Sequence, residues 1–400
     1  MKKLIKVALA STVLATGAWM SSAQADDVKL GVIFGFTGPI ESLTPTMAQA
    51  VDLAAKEASD SGNLLGGKKV VAVRGDSTCI DAAAATAAAE RLVTSDNVAA
   101  IVGADCSGVT TAVANNVAVP NGVAMISPSA TSPALTSIDD KGYFFRVAPS
   151  DARQGQVLAN ILMGQGVKDV AVTYTNNDYG KGLAESFGSA FAAAGGKVVI
   201  SASHEDGKAD YSAEVGALSA AGSKNLMLFG YVDQGGKGIM QTAIDLGAFD
   251  RFFGADGMVG DSLIQALGKD AEGLVTTIPG GGAGGADKFQ ELAKAAGFPG
   301  TGPYNGEAYD AASILILAIQ AAGSTDRAAI QANILKVANA PGEKIMPGEL
   351  GKALKIIADG GDVDFVGATA VEFTDIGETN GSYKEQIVEG GKQKLVKVHQ

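Results

Sequence analysis

The sequence is poor in the residues that most enzyme chemistry needs. It has two histidines, two cysteines and one tryptophan among 400 residues. His399 stands next to the C-terminal residue, so a Ser-His-Asp triad would depend on His204 alone. There is no G-x-S-x-G elbow, no GxxxxGK[ST] loop, no H-E-x-x-H pair, no CxxC and no EF-hand loop. These absences point away from an enzyme, and no cofactor or metal is expected. The run GGGAGG at 280–285 formally fits G-x-G-x-x-G. Five glycines in six residues fit many glycine patterns, so the run reads as a flexible connector.

Positive charge and aromatic rings are also scarce. Lys and Arg number 31 against 43 Asp and Glu, the net charge is −12, and aromatics make up 6%. No basic run and no aromatic stacking motif occurs, and an acidic surface disfavours nucleic acid and anionic lipid. Long apolar stretches are missing except at the start. There Lys2, Lys3 and Lys6 precede an apolar stretch over 7–20, and Ser21 to Ala25 end it in small-x-small form. The stretch is shorter than the ~20 residues that a spanning helix needs. It reads as a cleavable export signal over 1–25, leaving a chain that starts at Asp26. No cysteine at the cleavage point offers a lipid anchor. Loss of the three lysines takes the net charge to −15.

The remaining length suits two domains of ordinary size. Export implies an oxidising compartment, where the pair Cys79 and Cys106 reads as a disulfide; two buried thiols are the alternative. Closing that loop adds roughly 3–4 kcal/mol in the chain-entropy picture.

What is abundant is a rhythm of short apolar runs and longer alanine-rich amphipathic segments, the pattern of βαβ units. Strands are predicted over 28–34, 69–73, 99–103, 123–127 and 144–147, with helices over 45–59, 81–94 and 109–119. A second series has the same rhythm, with strands over 170–174, 197–201, 226–229 and 251–254. Its helices are predicted over 151–163, 182–194, 211–220 and 238–246. The expected fold is α/β, with two similar lobes, each a mainly parallel sheet flanked by helices. After 280–285, helices are predicted near 288–296, 308–322 and 327–337, and extended chain over 369–373 and 385–398. The late strands are expected to complete one of the earlier sheets.

In open α/β sheets ligands bind beyond the carboxyl ends of the strands. Two loops in such places are rich in hydroxyls. GADCSG at 103–108 puts Ser107 at a helix start, where free N–H groups favour a carboxylate. A plain helix cap worth about 1 kcal/mol is the alternative. ISPSATSP at 126–133 has two prolines that stiffen it, which suits a polar clamp or an ordinary turn.

The run C-S-G at 106–108 followed by M-I-S-P-S-A-T-S-P-A-L-T at 125–136 resembles the leucine/isoleucine/valine-binding protein family of type I periplasmic binding proteins. Phe36-Thr37-Gly38-Pro39 and Asn177-Asp178-Tyr179-Gly180-Lys181-Gly182-Leu183-Ala184 are similar to further family segments, and the likeness spans nearly the whole exported chain. Cys79 and Cys106 match the family's disulfide pair. The resemblance implies that Ser107 and Thr131 hold a ligand carboxylate. It gives Ser129 a backbone carbonyl for the ligand ammonium, with Ala130 between them in the same loop. Tyr179 and Tyr231 would cover the ligand, and Asp256 would pair with the ammonium. In two places the sequence departs from the family. Asp256 stands where the family commonly has Glu, and Leu43 where it often has an aromatic. Glu41, beside Leu43, is expected near the pocket, where it would favour a cationic group.

The implied architecture has three crossover hinges, near 147–149, 277–280 and 379–382. Lobe one takes 26–148 with 279–380 returning to it, and lobe two takes 149–278 with 381–400 returning to it. The implied function is that of the periplasmic substrate-binding component of an ABC importer. It would be a monomer that captures a small amino acid and delivers it to an inner-membrane ABC permease. Related folds serve amides, urea and aromatic acids, or act as sensing lobes of receptors, and these stand as alternatives.

Overall fold

The computed structural model describes residues 27–280 and 284–400. The expected export signal at 1–25 and the middle of the glycine run lie outside the described residues.

The first sheet is all parallel. It comprises β1 (Val28–Phe34), β2 (Val70–Asp76), β3 (Ala100–Gly103), β4 (Met125–Ser127) and β5 (Phe144–Arg146), in the order β2-β1-β3-β4-β5. Alternation along β1 decides which residue faces which layer. Leu30, Val32 and Phe34 pack towards α1 (Thr44–Ser61), while Ile33 packs towards α2 (Ala82–Glu90) and α3 (Ser107–Val113). Asp81 caps α2 by accepting from the amides of Ala83 and Ala84.

The second sheet contains β6 (Asp169–Thr175), β7 (Lys197–His204), β8 (Asn225–Phe229), β9 (Arg251–Gly254) and β10 (Val275–Pro279). Its helices are α4 (Asp151–Gly164), α5 (Asp178–Ala193), α6 (Ser212–Ala220), α7 (Gly235–Asp245) and α8 (Asp261–Leu267). Helices α9 (Ala286–Ala295) and α10 (Asn305–Ala322) follow, and α10 returns to the first sheet, packing on α1, β3 and β4. Short helices α11 (Arg327–Gln331), α12 (Ile334–Ala338) and α13 (Leu350–Ala358) and the small pair β11 (Glu343–Ile345) and β12 (Val363–Phe365) lie beyond it. The chain ends in a hairpin, β13 (Tyr383–Val388) and β14 (Gln393–His399), which adds antiparallel to β10. The seven-stranded order is β14-β13-β10-β9-β8-β6-β7.

Two expectations fail locally. The segment 369–373 is not a strand, apart from an isolated bridge at Phe373. The amides of Ala368 and Thr369 and the Thr369 hydroxyl all donate to the buried Asp310 carboxylate, so a side chain takes the bonds that a ladder needs. The helix predicted over 327–337 breaks into α11 and α12 at Ala332 and Asn333. Helices α8 and α13 and the pair β11–β12 are not expected from the sequence, whereas β10 is the strand-like run that precedes the glycines. The cysteines do pair: Cys79 and Cys106 are joined, with Cα atoms 5.1 Å apart.

Candidate functional site

The carboxyl end of β3 meets that of β9 across a cleft. At β3 the chain turns through Gly103 at φ +126°, where a Cβ would lie 2.3 Å from the Ile33 carbonyl oxygen. Only glycine fits there. The turn delivers Ser107 to the first position of α3. Ser107 does not cap that helix; the cap position is Cys106, whose side chain makes no capping hydrogen bond. Instead its Oγ accepts from the amides of Thr131 at 3.2 Å and Ser132 at 3.1 Å. That leaves the Ser107 hydroxyl proton free to donate.

The loop after β4 is held from both sides. Ser127 Oγ accepts from the amides of Ser129 and Ala130. Behind the loop lies Arg146, wholly buried. Its guanidinium donates to the carbonyls of Ala130 and Ser132 and to Thr136, and pairs with Glu378. Thr131 Oγ1 is buried and has no partner.

Across the cleft stands Asp256, just after β9 and 4% exposed. The Tyr179 hydroxyl donates to its Oδ1 at 3.1 Å and accepts from the Gly257 amide at 3.0 Å. A Cβ at Gly257 would lie 2.8 Å from the Tyr179 hydroxyl, so a side chain would force the two apart. Tyr304, which precedes α10, donates to Asp256 Oδ2 at 2.6 Å. Burial raises the Asp256 pKa despite these donors.

A second acid lies close by. Asp151 opens α4, is fully buried, and neither of its carboxylate oxygens has a partner. Its pKa is raised well above the ordinary carboxylate value, first by burial and then by the charge of Asp256. The neighbouring Thr131 hydroxyl and Arg146 charge only partly offset this.

The cavity is small, about 30 Å³. Ser107, Ser129, Tyr179, Tyr231 and Asp256 all line it, together with Asp105, Tyr304 and an apolar wall of Ile40, Leu43 and Met47. Tyr179 and Tyr231 stack with centroids 5.3 Å apart. Ala130 and Thr131, in the loop beside Ser129, do not line the cavity. The cleft is shut by bonds between loops of the two sheets. The Ser42 amide donates to Asp233 at 2.9 Å, and the Asp233 amide to the Pro39 carbonyl at 3.1 Å. On the other side Thr111 donates to the Asp178 carboxylate, and Ser132 to the Asp178 carbonyl.

Glu41 does not enter the cavity, contrary to expectation. It is exposed and accepts from the Gly38 amide within its own turn. His204 lies elsewhere, bonded to Thr173 and edge-on to Tyr211. Burial lowers its pKa to about 4, so it is neutral. Among the described residues no group of three His, Cys, Asp or Glu could hold a metal.

The sequence reading missed Asp105, Asp151 and Tyr304. Ser150-Asp151 reads as an ordinary helix start, and Ser150 does cap α4. Tyr304 follows a Gly/Pro-rich turn that gives no sign of reaching Asp256. Asp105 stands beside Cys106 in its loop and carries no motif of its own.

A relative in Brucella melitensis, named Leu/Ile/Val-binding protein homolog 3, is 30% identical over 84% of this chain and 89% of its own. The leucine-, isoleucine-, valine-, threonine- and alanine-binding protein of Pseudomonas aeruginosa is 32% identical over 64% of this chain and 68% of its own. The crystal structure of a leucine-binding protein from Thermotoga maritima superposes with a TM-score of 0.78 at 27% identity, covering 93% of this chain and 98% of that one. The profile of the periplasmic binding protein family matches residues 27–351. With its two helix-flanked sheets and a cavity closed between them, this chain belongs to the periplasmic binding protein family.

Proposed function

We propose that the protein is the periplasmic substrate-binding component of an ABC importer, capturing a small amino acid, branched-chain or otherwise aliphatic, by lobe closure. One observation carries this: a small cavity between the sheets is lined by the Ser107 and Ser129 hydroxyls on one side and by the buried Asp256 on the other. A zwitterion shut in such a space needs both charges answered, since an unpaired buried charge costs several kcal/mol. Ser107 and the unpartnered Thr131 hydroxyl answer the carboxylate, with help from the start of α3. Asp256 answers the ammonium, with the Ser129 carbonyl, and the buried Asp151 beside Asp256 adds negative charge behind that pole. The stacked tyrosines and the Ile40, Leu43 and Met47 wall cover an aliphatic side chain.

Lobe one takes 26–148 and 279–380; lobe two takes 149–278 and 381–400. The hinges are the three crossovers. They are tied to one another where Thr379 donates to the Val147 carbonyl and Ser382 to the Gly280 carbonyl. The closed monomer docks on an inner-membrane permease, and no turnover of the ligand is expected.

The test is a thermal-shift panel on protein unfolded and refolded to strip carried-over ligand. The panel holds the twenty amino acids, small amides, urea and aromatic acids. A ligand at 100 times its dissociation constant adds about 2.7 kcal/mol. Shifts from small amino acids, lost in Asp256→Ala, are expected. Shifts from uncharged or purely anionic compounds alone would overturn the amino-acid assignment.

A further inference from the structure

Asp105 is an odd presence in an otherwise aliphatic corner. It lines the cavity beside Ile40, Leu43 and Met47 and is 2% exposed. Its carbonyl accepts from the Ser129 hydroxyl at 2.9 Å, while its carboxylate is held mainly by the turns after β1 and β2. Oδ2 accepts from the Gly35 amide at 2.6 Å, and Oδ1 accepts from the Ser77 hydroxyl at 3.0 Å and the Cys106 amide at 3.0 Å. Gly35 and Ser77 follow β1 and β2, whereas the clamp loop follows β4, on the other side of β3 in the sheet order. Asp105 therefore belongs to the side-chain end of the cavity, where the turn after β1 supplies Ile40 and Leu43.

An ionised carboxylate accepts about four hydrogen bonds. Asp105 receives three from the protein, and the open place is on Oδ2. Among the described residues no Lys, Arg or His pairs with it, and burial raises its pKa to about 6. A pocket meant only for hydrocarbon gains nothing from a desolvated acid in its wall. A side chain bearing a donor would complete the acceptor set and relieve part of the burial cost.

We propose that Asp105 is the specificity-determining residue of the side-chain subsite, and that it selects short amino acids whose side chain carries a hydroxyl or amine donor over purely aliphatic ones of the same size. The proposal rests on the amino-acid reading above and narrows it. The cavity's size sets the length of the side chain, and the apolar wall accommodates its methyl or methylene groups. The open oxygen of Asp105 then distinguishes hydroxyl from methyl. Threonine and valine are the matched pair, since they have nearly the same shape.

The experiment is titration calorimetry of refolded protein with threonine and with valine, well above pH 6. Threonine is expected to bind at least tenfold tighter, as a hydrogen bond to a charged group gives roughly 10- to 100-fold. In Asp105→Asn the ratio should fall towards one, with the melting temperature recorded to show that the variant is folded. If that variant does not fold, the wild-type ratio alone decides. Valine binding as tightly as threonine would overturn the proposal and leave the amino-acid reading intact. If no amino acid binds, the functional reading itself fails, and this inference with it.

Discussion

Replacing Asp151 with asparagine should move stability and binding in opposite directions. The carboxylate is wholly buried, its oxygens have no partners, and it faces Asp256. Its folded pKa is raised, so above the ordinary carboxylate value near 4 the folded chain holds more proton at this site than the unfolded chain does. Stability from this group is then fully present at low pH and is lost as pH rises through the raised value, at no more than about 1.4 kcal/mol per pH unit for one proton. Unfolding entropy of about 2.1 cal/mol/K per residue makes that roughly 2 °C per pH unit for a chain of this length. Asp105, Asp256, Glu307 and Asp310 are raised in the same direction, so the wild-type slope sums several groups. The difference between wild type and Asp151→Asn isolates one of them. Scanning calorimetry without ligand should find the variant more stable at neutral pH, with the gap closing towards pH 4. Amino-acid affinity should fall by about 30-fold or more, the effect of removing one member of a buried charge pair. A variant that is less stable at neutral pH and binds normally would refute the assignment of Asp151 to the ligand ammonium.

Further outcomes follow from other parts of the molecule. Asp233→Ala removes an acceptor that joins the Ser42 amide to the Ser262 hydroxyl. It should weaken binding about tenfold through easier opening, visible as a larger radius of gyration in X-ray scattering, with little change in melting temperature. Reducing the Cys79–Cys106 bond should lower unfolding free energy by about 3–4 kcal/mol in denaturant titrations. Arg146→Met strands Glu378 and three oxygen acceptors, and should cost about 3–5 kcal/mol. A double-mutant cycle with Glu378→Met should recover part of that loss, whereas additive effects would argue against a coupled pair.

The rhythm of the first 254 residues was legible because most strands are short apolar runs closed by a glycine, serine or aspartate, and most helices are long enough to show their period. The clamp loops were legible because Ser107 and the 126–133 run follow such strands. Asp151 and Asp105 were not, because an acid at a helix start or beside a cysteine has ordinary local explanations. Only the packing of distant loops around them reveals that one lacks partners and the other borders the cavity. The segment 369–373 misled for a related reason. Its alternation fits a strand, and nothing local shows that its amides go instead to the Asp310 carboxylate, the Val366 carbonyl and the Asn339 side chain. The small β11–β12 pair has three-residue strands, too short for any period to appear.

The return of α10 to the first sheet has a consequence for how the chain is made. One face of that sheet, with Leu30, Val32, Phe34, Val102 and Ile126, packs in a core that draws on Ala308, Ala311, Ala312, Leu315 and Ile319 of α10. All five strands are finished by Arg146, yet this part of their cover arrives only in the last quarter of the sequence. A growing or truncated chain therefore carries an incompletely covered, adhesive apolar face from the completion of β5 until α10 is made. The first lobe to be written is among the last to be sealed, which favours partners that hold an unfinished chain and penalises C-terminal truncations far more than their distance from the cavity suggests.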